Sequence, residues 1–177
     1  MPLRNRLTAF ALLLRRKAPA TPTSSLRTGG YGRQVDIRIT TDLFVRVRAL
    51  VEDTTHGEEA GFLLCSVNRL DEIDVLLARE LIPVPPGELH RNTSGSALTW
   101  SAQFNSSVIE RAIAIGATPV LVHSHGTPQP TFSDDDRINE RALFGAASRL
   151  LSPAPTGTLL LGNGAANGSF WLKAKTA

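Results

Sequence analysis

Cysteine is nearly absent from this 177-residue chain: there is one, Cys65, which excludes a disulfide framework and a cysteine-built zinc site alike. It sits in an apolar run (GFLLCSV), the setting of an inert buried thiol rather than a nucleophile, and a reducing, cytoplasmic location is the expectation. Long hydrophobic runs are missing too. The apolar stretch at residues 7–14 (LTAFALLL) is too short to span a bilayer, and with Arg15, Arg16 and Lys17 directly behind it, it makes a poor signal-peptide core. A short amphipathic helix followed by a flexible linker (APATPTSSLRTGG) is the expected form of this region. The first 33 positions hold no acid but carry Arg4, Arg6, Arg15, Arg16, Lys17, Arg27 and Arg33, so the net charge of +3 divides into +7 there and −4 over the rest. Aromatics are also scarce, and only Phe10 falls within the first 30 residues. The interleaved stacking side chains that single-stranded nucleic acid requires are therefore lacking, and a nucleic-acid partner is not expected. No internal repeat is visible.

What remains is an ordinary globular composition, 42% apolar and 20% charged, enough for one domain over residues 34–177 behind a basic segment over 1–33. Residues 35–40 read as a strand, and Thr41 as the cap of a helix with Leu43, Phe44, Val47, Leu50 and Val51 on one face. Apolar runs at 62–67 and 74–84 read as strands joined by a turn at 68–72. Pro83, Pro85, Pro86 and Gly87 open a long loop to residue 96. Ser101 then caps a helix carrying Phe104, Val108, Ala112 and Ile115, which Gly116 ends. Further strands are expected just before residue 125, at 158–161 and at 169–172. This alternation implies an α/β fold with a mixed sheet flanked by helices. Trp100 and Trp171 read as packing residues, and His56 and His90 as solvated side chains in polar loops.

The chemistry concentrates in residues 123–136 (HSHGTPQPTFSDDD). In a strand, side chains two apart share a face, so His123 and His125 point together, with Leu121 below them and Val122 and Ser124 opposite. Ser133 opens a run with helical spacing at Ile138, Ala142, Leu143, Ala146, Ala147 and Leu150, which puts Asp136 on a helix's first turn. Two imidazoles and one carboxylate can hold one Zn²⁺ and leave its fourth position open to water, the mark of a catalytic rather than a structural site. Such a metal makes hydroxide available near neutral pH, and the reaction then needs a base. Glu58 and Glu59, at the entrance to the apolar run that begins after Gly61, both qualify. Taken alone, Ser133 and Asp136 are equally well explained as a helix capping box. Taken together, the spacing H-x-H-x7-S-x2-D arises by chance with a probability of roughly a few in ten thousand over a chain of this composition.

These residues resemble the JAMM, or MPN-plus, metalloproteases, whose signature is a Glu with a Gly three residues on, then H-x-H, seven residues, Ser, two residues and Asp. The likeness runs from about residue 35 to the C-terminus. It implies Glu58, rather than Glu59, as the catalytic base, because Gly61 lies three residues after it. It also implies His123, His125 and Asp136 as zinc ligands, and Ser133 as the residue that steadies the oxyanion or orients the water. Gly126 stands where the family usually has Pro, and Cys65 where it usually has Gly. Neither position is a ligand or the base.

The activity implied is that of a zinc-dependent peptidase or isopeptidase cutting after the C-terminus of a ubiquitin-like protein, with one zinc per chain. Such bacterial enzymes often act beside activating and conjugating enzymes of the same operon, including antiviral ones. Alternatives are a processing peptidase for sulfur-carrier proteins, a RadC-like protein linked to DNA, and an MPN scaffold without catalysis. Specificity is expected in the loops at 83–99 and 126–132.

Overall fold

The computed structural model describes residues 34–52, 58–71, 73–91, 98–125, 130–151, 154–162 and 166–171. The amphipathic helix and linker expected before residue 31, and the positions of His56 and Gly126, lie outside the described residues. Eight strands and three helices follow in the order β1 (Gln34–Arg38), α1 (Thr41–Glu52), β2 (Ala60–Arg69), β3 (Ile73–Pro83), β4 (His90–Arg91), β5 (Leu98–Thr99), α2 (Ala102–Ala114), β6 (Thr118–Ser124), α3 (Asp134–Leu150), β7 (Thr156–Leu161) and β8 (Ala166–Trp171). Six strands form one mixed sheet in the order β1-β3-β2-β6-β7-β8. The β1–β3 and β6–β7 pairs are parallel and the others antiparallel.

The two central strands explain their own sequences. All seven residues of β6 are buried, because helices cover both faces of the sheet; a strand buried on both sides reads as a continuous apolar run rather than an alternating one. On one face Leu43, Val47 and Val51 of α1 pack with Leu63, Cys65, Leu76, Val120 and Val122. On the other, Val108 and Ala112 of α2 and Phe144 and Ala147 of α3 pack with Ala60, Phe62, Leu64 and Leu121. Each fully buried side chain of this size stabilises the fold by about 1.5–3 kcal/mol through loss of water contact. Helix α2 begins at Ser101, whose hydroxyl accepts from the Phe104 N–H at 3.1 Å. It ends before Gly116, which takes φ 61°, where the Ala117 N–H reaches the Ala112 carbonyl at 2.8 Å. Only glycine adopts that backbone freely, which is why the helix stops there.

Several expectations are corrected. The cap of α1 is Thr40, whose hydroxyl accepts from the Leu43 N–H, and Thr41 is already helical. The loop expected from Pro83 to residue 96 includes the first strand of a two-stranded β4–β5 sheet, so His90 lies in a strand, although exposed. The inner face of α3 also differs. Ile138 and Leu150 are 63% and 65% exposed and Ala142 is exposed, whereas Glu140, Phe144 and Ala147 are buried. Trp100 packs edge-on to Phe62, as a packing residue should. No described helix is long and apolar enough to cross a membrane.

Candidate metal centre

Strand pairing sets the positions of the upstream residues. Ala60 lies across from His123, and the Ser124 N–H donates to the Glu59 carbonyl at 3.3 Å. Glu58 and His125 lie just beyond the paired residues of these two strands. Glu58 and Glu59 directly precede β2, whose Ala60 and Phe62 face α2 and α3. Glu58 is half-buried.

Leu121 and His123 share that face on β6, and the chain beyond Ser124 carries His125 to the start of α3. There Ser133 and Asp136 form a complete capping box. The Asp136 N–H donates to Ser133 Oγ at 3.1 Å. The Ser133 N–H and hydroxyl both donate to Asp136 Oδ2, at 2.7 and 2.8 Å. The single proton of the Ser133 hydroxyl is thus engaged by Asp136 in this structure.

The donor atoms of three residues converge at the strand end. His123 Nε2 is 3.2 Å from His125 Nε2, 3.3 Å separates His123 Nε2 from Asp136 Oδ1, and 3.1 Å separates His125 Nε2 from Asp136 Oδ2. Zinc bonded to nitrogen or oxygen at about 2.0–2.1 Å in a tetrahedron sets its donors about 3.3–3.4 Å apart, close to these nearest approaches, which run to different oxygens of the Asp136 carboxylate. Two imidazole nitrogens facing each other at this distance require a shared cation or proton between them. Burial alone would raise the Asp136 carboxyl; the hydrogen bond and charge of the His123 ring and the Ser133 donors outweigh it and hold the group at about 2. The carboxylate is therefore charged at neutral pH. Phe132 stands edge-on to the His123 ring, with centroids 6.4 Å apart.

A cavity of about 360 Å³ opens beside these donors, walled by Leu98, Trp100, Ile109 and Leu143 and reaching His123 and Asp136. Asn105 of α2 fixes one wall by accepting from Trp100 Nε1. The cavity also touches Glu140, which sequence reasoning missed. One helical turn after Asp136, it lies on the same side of α3 and is only 3% exposed. Burial pushes its carboxyl up from the usual range. The signal is its i+4 spacing from Asp136; a charged residue on an inner face runs against binary patterning, which hides it.

A mixed sheet whose central strand ends in H-x-H against the capped start of a helix has the architecture of a JAB/MPN-type domain. Residues 40–172 match the family model described as prokaryotic homologs of the JAB domain, and the chain belongs to that family. The family includes metalloproteases as well as members without catalysis. No curated protein matches the chain. Among solved structures, protein DSY2949 from Desulfitobacterium hafniense is similar at 14% identity and a TM-score of 0.48, covering 80% of this chain and 86% of that one.

Proposed function

We propose that this protein is a zinc-dependent peptidase or isopeptidase that cuts after the C-terminal residue of a ubiquitin-like protein. The observation that carries the reading is the convergence of His123 Nε2, His125 Nε2 and the Asp136 carboxylate at separations of 3.1–3.3 Å, the spacing of a three-donor zinc site with a position left over. Zinc held there supplies Lewis-acid chemistry, polarising a substrate carbonyl and acidifying a water.

The chain's own residues do the rest. Glu58, two residues before the start of β2, takes the proton of the attacking water and hands it to the departing amine. Ser133 sits at the start of α3, and its hydroxyl turns from Asp136 to donate to the oxygen that gains charge as the carbonyl is attacked. Glu59 stays out of the reaction. The apolar cavity walled by Leu98, Trp100, Ile109 and Leu143 takes a substrate side chain next to the scissile bond. Activating and conjugating enzymes encoded nearby are the proposed partners, because they make the conjugate that this activity removes.

The test presents the purified chain, assayed for zinc, with a genomically neighbouring ubiquitin-like protein bearing a C-terminal extension. Cleavage after its last residue, stopped by a chelator and by Glu58→Gln but not by Glu59→Gln, is expected. A fully zinc-loaded protein that cuts neither this fusion nor the matching isopeptide conjugate overturns the reading in favour of a scaffold.

A further inference from the structure

The cavity beside the metal donors is walled by large apolar side chains that the core leaves half-covered. Trp100 directly follows β5, Ile109 lies on α2 and Leu143 on α3, and each is only half-buried. Leu98 and Leu121, both buried, complete the apolar wall. His123 and Asp136 line the same space, so whatever fills it adjoins the metal donors. The wall is preformed. Trp100 Nε1 donates to Asn105 Oδ1, and the indole stands edge-on to the buried Phe62, with centroids 5.7 Å apart and planes at 88°. A side chain held from two directions costs an incoming ligand little ordering.

The volume of about 360 Å³ lies at the small end of the range for ligand pockets, about 300–1,000 Å³. A glycine would leave this space to water, which finds few partners on apolar walls. An apolar side chain that displaces such water gains affinity. Charge decides against the other occupants. Asp136 is ionised, Glu140 is a second carboxyl of the lining, and no lysine or arginine is among the described lining residues, so an acidic side chain would enter without a partner. A basic side chain gains no ion pair either. Glu140 is 3% exposed and offers almost no surface, and the Asp136 oxygens are turned to the two histidines.

We propose that one of the two residues flanking the scissile bond is bulky and uncharged, a leucine, methionine or phenylalanine, and that Trp100, Ile109 and Leu143 are the side chains that select it. The inference rests on the peptidase reading and narrows its substrates: a bond with glycine on both sides is a poor one for this site. A single methylene in an apolar pocket is worth about 10–200-fold in discrimination. A whole apolar side chain against none is therefore worth at least about 10-fold.

Two measurements separate the pocket from the reaction. The first follows the Trp100 indole N–H in ¹H–¹⁵N spectra of the full chain, with and without zinc. The chain has two tryptophans, and the resonance absent from Trp100→Phe identifies this one. The probes are the Nα-acetyl amides of phenylalanine, glycine, lysine and glutamate. The phenylalanine amide should shift the resonance and bind at least about 10-fold more tightly than the other three. Leu143→Gln should weaken it by about 10-fold, as should Ala142→Phe, which fills the space from an exposed position. The second measurement compares kcat/KM of the zinc-loaded chain on ubiquitin-like fusions with glycine, leucine or lysine at the last residue before the bond or the first after it. Leucine at one of the two positions should be cut at least about 10-fold faster than glycine there. Equal binding of the phenylalanine and glycine amides, tightest binding of the lysine amide, or cleavage indifferent to both positions would overturn the inference. The wild-type comparison decides this even if a variant fails to fold. A bound phenylalanine amide with no fusion cut refutes the peptidase reading instead, and leaves the apolar preference of the pocket standing.

Discussion

Substituting Gly61 by alanine tests why the second residue of β2, three after Glu58, is a glycine. A Cβ added there would lie 2.8 Å from Leu50 Cδ2 of α1, 3.1 Å from the Ile82 carbonyl oxygen and 3.3 Å from Pro83 Cα. The leucine methyl can turn away. The two β3 backbone atoms cannot, so β2 and β3 must separate by a few tenths of an ångström where they pair at Gly61 and Pro83. Overpacking of this kind costs about 1–3 kcal/mol. In a domain of this size each kcal/mol lowers Tm by about 2–4 °C, so the melt should fall by about 2–12 °C. Glu58 lies two residues before the displaced strand, and Ala60 lies across from His123. Turnover on the ubiquitin-like fusion should therefore drop further than stability alone explains, while zinc stays near one per chain. The assay pairs a thermal melt with zinc analysis and single-turnover cleavage, for Gly61→Ala and for the double variant with Leu50→Ala. Because the second change relieves only the 2.8 Å contact, activity should not return. Full recovery in the double variant, or an unchanged melt in the single one, would refute the backbone argument.

Four further outcomes are expected. His123→Ala and Asp136→Ala should each lose most bound zinc, measured by atomic emission on the purified proteins; stoichiometric zinc in either removes the ligand assignment. Ser133→Ala should lose about 1 kcal/mol in denaturant unfolding through its cap and about 10²–10³ in turnover with zinc retained; a stability loss with turnover unchanged would leave Ser133 a cap only. The Cys65 thiol, buried and pushed up to about 12 by desolvation, should resist alkylation at pH 8 until denaturant is added, and rapid labelling of the native chain would contradict its burial. Glu140→Gln should raise the melting temperature of the metal-free protein at neutral pH. A carboxyl raised in the fold binds its proton more tightly there than when unfolded, so its stability penalty appears as pH climbs above the unfolded value of about 4.3 and is absent below it. A Gln variant less stable at neutral pH would reverse that sign.

The donor set was legible because each part obeys a local rule. Alternation puts His123 and His125 on one side of a strand, and Ser133 announces a helix start that fixes where Asp136 falls. The choice between Glu58 and Glu59 needed the family spacing, because both precede β2 and no local rule separates them. What stayed hidden depends on packing. Helix α3 has apolar residues on two sides, and Ile138 and Leu150 drew attention to the side that faces solvent. The side that faces the sheet combines Phe144 and Ala147 with a carboxylate, a mixture that no periodicity reveals. Strands β4 and β5, with two residues each, are shorter than one period of any useful pattern. Thr156 and Thr158 look like surface residues of an edge strand, but β8 beyond them and α3 above them leave both fully buried.

The capping box at Ser133 gives Asp136 two masters. Its Oδ2 is tied by the serine N–H and hydroxyl, while its Oδ1 is turned toward His123, so helix formation alone aims the carboxylate. A metal arriving here meets a donor whose rotamer is already chosen, and loses little entropy in ordering it. The converse is a built-in point of release. Anything that unwinds the first turn of α3 would break the cap and withdraw the Asp136 carboxylate in one movement, so a grip on an ion there would be only as durable as that single helical turn.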